Sequence, residues 1–339
     1  MSSTNLEPPV QRAENAPELI AQVLCTLDPI EAARVQTGFN AAAARPVTLR
    51  ANTLKATADE VADALTAAGI AFERVPWYDD AFILDEAVRE RVVWDLPIYQ
   101  NGAIYLQSLS SMLPPLALAP RSGADVLDMC AAPGGKTSQM AALAHGAAHL
   151  TACEMSTPRA EKLSYNLNKL GARNVNVMRV DARRLDEFFS FDQVLLDAPC
   201  TGTGTYRTGD ECAPKRMTRQ LLARTTRSQW ALLDRALTVL KPGGTLVYST
   251  CSILPQENDD QVAAALKKHR DCKLVPLTPE AAHPSDEDAP PLPPSAVTLV
   301  DAVERGDIPA LASPLAGTVT VCPTKLFEGF YLACITKTK

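Results

Sequence analysis

The chain has 339 residues, 46% hydrophobic but only 5% aromatic, which suffices for one large aliphatic-cored domain and a smaller one. A net charge of −6 and a pI near 5.4 exclude a protein that coats nucleic acid non-specifically, but not an enzyme with a local basic groove. No apolar run is long enough to span a membrane, and the nine cysteines are scattered, odd in number and free of any CxxC pair behind a polar Met1–Asn5 start. These features predict a cytoplasmic chain with reduced thiols, and four histidines remote from every motif predict neither a histidine triad nor a metal site.

Residues 1–44 read as short helices rich in Ala and Glu, broken at Pro8, Pro9, Pro17 and Pro29. Residues 45–95 read as a small α/β module. Val47–Asn52 predicts a strand. Thr57–Ala68 predicts an amphipathic helix, with Thr57 and Glu60 in capping-box spacing and Gly69 as its stop. Ala81–Leu84 and Val92–Trp94 add strand-like pieces.

From Ser122 the pattern turns to repeated strand–helix units. Strands are predicted at Val126–Met129, His149–Cys153, Val175–Val180, Gln193–Leu196 and Thr245–Ser249. Helices are predicted at Thr137–Ala144, Arg159–Leu170, Thr218–Leu240 and Asp259–Lys268. The alternation predicts a doubly wound, mainly parallel sheet across 96–339. Residues 276–317, Pro-rich and acidic, are expected as a surface loop insertion, and Gly329–Ile335 as a final strand.

Two cysteines lie just past apolar, β-prone stretches: Cys200 ends Leu195–Cys200 and Cys251 ends Leu246–Cys251. Strand ends are where α/β enzymes carry reactive groups, and Asp197 precedes Cys200 closely. The run Asp128–Thr137 joins the first strand of the sheet to its helix, with small residues and two glycines that let a ligand approach the backbone. It is not a phosphate loop, because Cys130 stands where that motif needs glycine, and the dinucleotide fingerprint is absent as well. An adenosine pocket of another kind remains. Glu154 at the second strand end would accept hydrogen bonds from ribose hydroxyls, and Asp181 at the third would meet an adenine amino group.

Asp128–Lys136, Asp197-Ala198-Pro199-Cys200, Ser249-Thr250-Cys251-Ser252 and Glu257-Asn258 together resemble the Nop/Sun (RsmB-type) family of S-adenosylmethionine-dependent RNA cytosine-5 methyltransferases. Arg50–Lys55 resembles the start of the family's small module, and Gly102–Met112 its lead-in to the catalytic domain. The resemblance implies a Rossmann-like class I methyltransferase domain. It implies S-adenosylmethionine as methyl donor, bound by Cys130, Ala131, Ala132, Pro133, Gly134, Gly135, Lys136, Glu154, Arg159, Asp181 and Asp197. It implies Cys251 as nucleophile, Cys200 as the group that assists product release, and Asp197 and Lys136 beside the cytosine ring.

The partner is expected to be RNA, ribosomal or transfer, held by a basic strip that follows the Cys200 loop: Arg207, Lys215, Arg216 and Arg219. The target base must leave any helix to reach the thiol. A monomer is expected, without a PUA-type RNA module. The chain departs from the family's pattern at Thr208–Pro214, which replaces an Arg and a Pro-Asp element, and at Val321-Cys322-Pro323, which lacks an Arg. Two other readings stay open: a catalytically silent RNA-binding or ribosome-assembly factor on the same fold, and a DNA cytosine-5 methyltransferase in which Cys200 would attack.

Overall fold

The computed structural model describes residues 17–285 and 292–338. The expected breaks at Pro8 and Pro9 and the acidic run Asp286–Asp288 lie outside the described residues. Two helices, Glu18–Thr26 and Pro29–Ala41, open the described chain. Their apolar residues Leu19, Ile20, Val35 and Phe39 pack with Tyr206, Met217, Ile253 and Leu254. The N-terminal segment thus lies against the loops that follow both candidate cysteines.

A small antiparallel sheet comes next, built from β1 (Thr48–Ala51), β2 (Phe72–Val75), β3 (Tyr78–Leu84) and β4 (Ile104–Leu106) in the order β2-β3-β1-β4. The helix Ala58–Ala67 covers it and starts with the predicted capping box. Glu60 N–H donates to Thr57 Oγ1 at 3.2 Å, and Thr57 N–H donates to Glu60 Oε2 at 2.7 Å. Val92–Trp94, expected as a strand, instead belongs to the short helix Glu90–Trp94. Only Val93 faces the core there, while Val92 and Trp94 are exposed; one inward residue per turn is a helical pattern.

The large sheet contains β5 (Asp125–Asp128), β6 (His149–Cys153), β7 (Val175–Met178), β8 (Phe191–Asp197), β9 (Leu240–Thr250), β10 (Cys272–Val275), β11 (Ala310–Leu311), β12 (Val319–Val321) and β13 (Phe330–Lys337). Its order is β11-β12-β13-β9-β8-β5-β6-β7, with β10 on β13. Strands β5 to β9 run parallel, and β13 pairs antiparallel to β9. Both faces are covered, so neighbouring residues point into different cores. Val126, Leu195, Val247 and Leu332 face one side with the helix Leu109–Leu118, while Leu127, Leu196, Tyr248 and Ala333 face the other with the helix Arg219–Val239.

The stretch 276–317 is not the expected loop. It carries the helices Pro279–Ala282 and Pro294–Glu304, the second of which buries Ala296, Leu299, Val300 and Ala302. Prolines at a helix's first turn lose no hydrogen bond, so Pro279 and Pro294 start helices where composition alone suggests a break. The third parallel strand is also shorter than expected, ending at Met178. Among the described residues no helix is long and apolar enough to cross a membrane.

Candidate active site

Strand order reverses at β5, with β6 on one side and β8 on the other, so the crevice beyond their C-terminal ends is the natural ligand site. Asp128 closes β5 and is buried, its Oδ2 accepting from Thr137 Oγ1 at 2.7 Å and its Oδ1 from Cys130 N–H at 3.3 Å. Burial pushes its carboxyl up to about 6, against the Thr137 hydrogen bond and with help from the Asp197 charge. Residues 129–134 then turn into the helix Gly135–Leu143. Gly134, at φ 108°, supplies the left-handed conformation that this turn requires. Burial pushes the Cys130 thiol well up, which leaves it an inert packing residue within this loop.

Lys136 and Asp197, far apart in sequence, meet at 2.7 Å between Nζ and Oδ2. Ser249 Oγ donates to Asp197 Oδ1 at 2.9 Å, from the residue paired with it on β9. Burial depresses the Lys136 ammonium, but the charge and hydrogen bond of Asp197 outweigh it and the net displacement is upward. The lysine is therefore firmly cationic and holds the carboxylate in place.

Cys200 and Cys251 stand 3.2 Å apart, sulfur to sulfur. The hydrogen bond with Cys251, then burial and the charges of Cys251 and Glu257, push the Cys200 thiol well up. Either sulfur can donate in this contact. The turn that carries it is anchored by Glu257, a fully buried carboxylate. Glu257 accepts from Thr201 N–H at 2.9 Å, Thr201 Oγ1 at 2.6 Å, Thr225 Oγ1 at 2.7 Å and Gln229 Nε2 at 3.2 Å. Gln229 also donates to Pro199 O at 2.9 Å. Gly204 N–H donates to Cys251 O at 3.0 Å, which ties the two cysteine loops directly.

Glu154, at the end of β6, is buried; its carboxylate accepts from Ser156 N–H at 2.8 Å and pairs with Arg159 at 3.1 Å. Arg159 also donates to Ala132 O at 3.1 Å, bracing the loop after β5. Asp181 caps a one-turn helix and is gripped by the Arg183 guanidinium, which with burial opposing holds its carboxyl below the usual range. A cavity of about 240 Å³ is lined by Cys130–Pro133, Gly135, Lys136, Asp128 and Asp197 on one side and by Tyr105–Ser108 and Ser111 on the other. It gathers the loop, Lys136 and Asp197; Glu154, Arg159, Asp181 and the two thiols lie outside its lining.

The Tyr105–Ser111 wall was not assigned from sequence, although Gly102–Met112 stood out as a motif. Arg50 fixes this wall: fully buried, it donates to Gln107 Oε1 at 3.0 Å, Gly135 O at 3.2 Å and Ser138 Oγ at 2.7 Å. The Tyr105 ring packs so close to Gly135 that a Cβ there would lie 2.8 Å from it. Of the expected basic strip, Arg207, Lys215, Arg216 and Arg219 are all exposed. Arg216 is paired with Asp210 and Arg219 with Glu18, while Arg207 and Lys215 form no ion pair among the described residues.

Residues 115–335 match the family described as 16S rRNA methyltransferase RsmB/F, and residues 35–90 match the ferredoxin-like domain of RsmF/B-like methyltransferases. The chain is 41% identical over 227 residues to the ribosomal RNA small subunit methyltransferase F of Shewanella oneidensis, a match covering 65% of this chain and 47% of that protein. It is 37% identical over 256 residues to the protein of that name from Aeromonas salmonicida, covering 72% and 53%. The chain spans about half the length of the curated relatives it matches. A solved methyltransferase homologue from Pyrococcus horikoshii is 32% identical with a TM-score of 0.72, covering 96% of both chains. NSun6 from Pyrococcus horikoshii, solved with SFG, shares the fold at TM-score 0.76 and 21% identity, covering 97% of this chain and 100% of that one.

Proposed function

The chain belongs to the RsmB/F family of 16S rRNA methyltransferases, the RsmB-type branch of Nop/Sun proteins, and from that premise we propose that it methylates carbon 5 of cytosine in RNA. Ribosomal RNA is the favoured substrate class, since the matching relatives are ribosomal RNA small subunit methyltransferases. The observation that carries this reading is the convergence of the Cys200–Cys251 pair with the Lys136–Asp197 pair at adjacent strand ends.

Carbon 5 of cytosine is a weak nucleophile, and addition of a thiolate to carbon 6 makes it reactive. Cys251 is the residue for that addition. Its neighbour Cys200, in contact with it, assists the later step in which the carbon-5 proton is lost, the bond from carbon 6 to sulfur breaks and the product is freed. Asp197, held by Ser249 and Lys136, faces the ring edge at nitrogen 3 and offsets the charge that addition builds there.

The donor fits the residues present. Small side chains and a left-handed glycine open the loop after β5 to close approach, and a buried carboxylate at the next strand end suits a ribose. S-adenosylmethionine bound there would supply the methyl group as an electrophilic sulfonium. Cys130–Lys136, Glu154, Arg159, Asp181 and Asp197 would hold it, with Asp181 first exchanging its grip on Arg183. Arg207 and Lys215 would meet RNA phosphates directly, whereas Arg216 and Arg219 must give up their carboxylates to do so.

The test is a pair of variants assayed with ribosomal RNA and labelled donor. Cys251→Ala should lose methyl transfer while still binding S-adenosylmethionine. Cys200→Ala should accumulate an enzyme–RNA adduct that survives a denaturing gel. Full activity in Cys251→Ala would overturn the assignment.

A further inference from the structure

The basic strip expected at the active site is half neutralised, with Arg216 and Arg219 paired, and further unpaired cations sit elsewhere. Lys55, Lys162 and Lys169 have no carboxylate partner among the described residues. Lys55 and Lys169 converge on the seam between the small module and the helix Thr157–Leu170. The seam is tight: Asn52 Nδ2 donates to both Gly102 O, at 2.8 Å, and Leu170 O, at 2.7 Å. A Cβ on Gly102 would lie 2.3 Å from Lys169 O, and one on Gly171 would lie 3.1 Å from Lys55 Cε. Lys169 Nζ rests 3.8 Å from the centre of the Tyr99 ring, while Lys55 Nζ donates to Asn101 O at 2.6 Å. Burial and the nearby Lys55 charge hold the Lys169 ammonium below its usual range. Two like charges fixed together without an acid are stabilised by a polyanion.

The same helix leads back to the catalytic cavity. Arg159 and Asn166 donate to Ala132 O and Pro133 O of the loop after β5, at 3.1 and 2.7 Å. Tyr165, one turn from both Lys162 and Lys169, is 66% exposed and offers an open ring face. Tyr105 lines the cavity beside Lys136 and Asp197 and lies within electrostatic range of Tyr99. Lys162, Tyr165 and Lys169 thus set an exposed ring between two cations on one helix, the pattern that suits single strands, whose bases stack while their phosphates need positive charge.

We propose that the unpaired RNA flanking the target cytosine runs along this seam, its phosphates on Lys55, Lys162 and Lys169 and one base on Tyr165. Tyr99 aims Lys169 rather than receiving a base. The track rests on the reading of the chain as an RNA cytosine methyltransferase and names the strand conformation that the enzyme takes.

The experiment measures binding of a fluorescent single-stranded RNA of roughly 12 nucleotides with one central cytosine, at several salt concentrations. Against the wild type, Lys55→Ala/Lys169→Ala should bind about tenfold more weakly, with the slope of log affinity against log salt reduced by about 1.4. Lys162→Ala/Tyr165→Ala, which leaves the seam intact, should also weaken binding. Affinity for S-adenosylmethionine should stay within about twofold in both, as it does for surface changes. Wild-type affinity and slope in both variants would overturn the track alone. A wild type that binds no RNA would sink the methyltransferase reading and the track with it. Equal loss on a duplex of the same length would show a general phosphate surface and remove the single-strand assignment.

Discussion

Asp128 shows how a single buried group gives the site a pH signature. Its carboxyl is raised from 3.8 to about 6 by burial, so ionising it in the folded state costs on the order of 3 kcal/mol at neutral pH. The native state binds the extra proton between those two values. The resulting stabilisation is complete below the lower one and fades as pH rises through the upper one. Urea unfolding should therefore show the wild type gaining roughly 1 kcal/mol relative to Asp128→Asn between pH 7 and pH 5. Parallel stability curves for the two proteins would refute this. Glu257 acts on the neighbouring turn through four hydrogen bonds, and its charge also pushes the Cys200 thiol up. Glu257→Gln keeps one carbonyl acceptor but removes the charge that its other hydrogen bonds rest on, at a cost of about 1 to 2 kcal/mol. Because the turn that it loosens carries Cys200, the variant should accumulate the enzyme–RNA adduct more than it loses adduct formation, as read on a denaturing gel. Wild-type turnover without adduct would exclude that role.

Among the elements, the crossing of the 199–206 turn with the approach to β13 is one of the tightest. A Cβ on Gly204 would lie 1.9 Å from Gly329 O, while Gly204 itself bonds Cys251 O and accepts from Gly329 N–H at 2.9 Å. Gly204→Ala should lower the melting temperature and cut methylation together, by about 2 to 4 kcal/mol in stability. An alanine variant of unchanged melting temperature would show that the crossing yields. This contact marks where sequence reading stops. The central parallel strands β5 and β8 were legible because both faces are buried and each reads as a largely apolar run, whereas the edge strand β7 has no buried residue. Lys136, Asp197, Cys200 and Cys251 were legible as motifs, and the fold brings them into two touching pairs. The partners of those motifs were not. Glu257 stood within a motif, but its role depends on Thr201 and on Thr225 and Gln229 of a distant helix, and the Tyr105–Ser111 wall on Arg50 crossing from β1. Val92–Trp94 and Pro294 misled for a local reason: β-branched runs and prolines also occur in short helices and at first turns.

At the scale of the molecule, Arg50 is the clasp between the small sheet and the catalytic domain, satisfied by carbonyl, amide and hydroxyl oxygens and by no carboxylate. Arg50→Met keeps most of the volume and removes every donor. Calorimetry should then show a loss of about 2 to 4 kcal/mol and two unfolding transitions in place of one. A single transition at the original temperature would mean that the seam around Asn52 suffices to couple the domains. The large sheet carries a further consequence, in the order in which the protein is made. β9, which leads into Cys251, has β8 on one side and β13 on the other, and β13 lies far downstream. Until residues 330–337 leave the ribosome, that edge of β9 has no partner, and Gly204 has no Gly329 to lean on. The two sulfurs are therefore brought into register late in synthesis, after most of the sheet already exists. A nascent chain halted before β13 emerges should be cut by protease near the cysteine loops, while the strands from β5 to β8 resist.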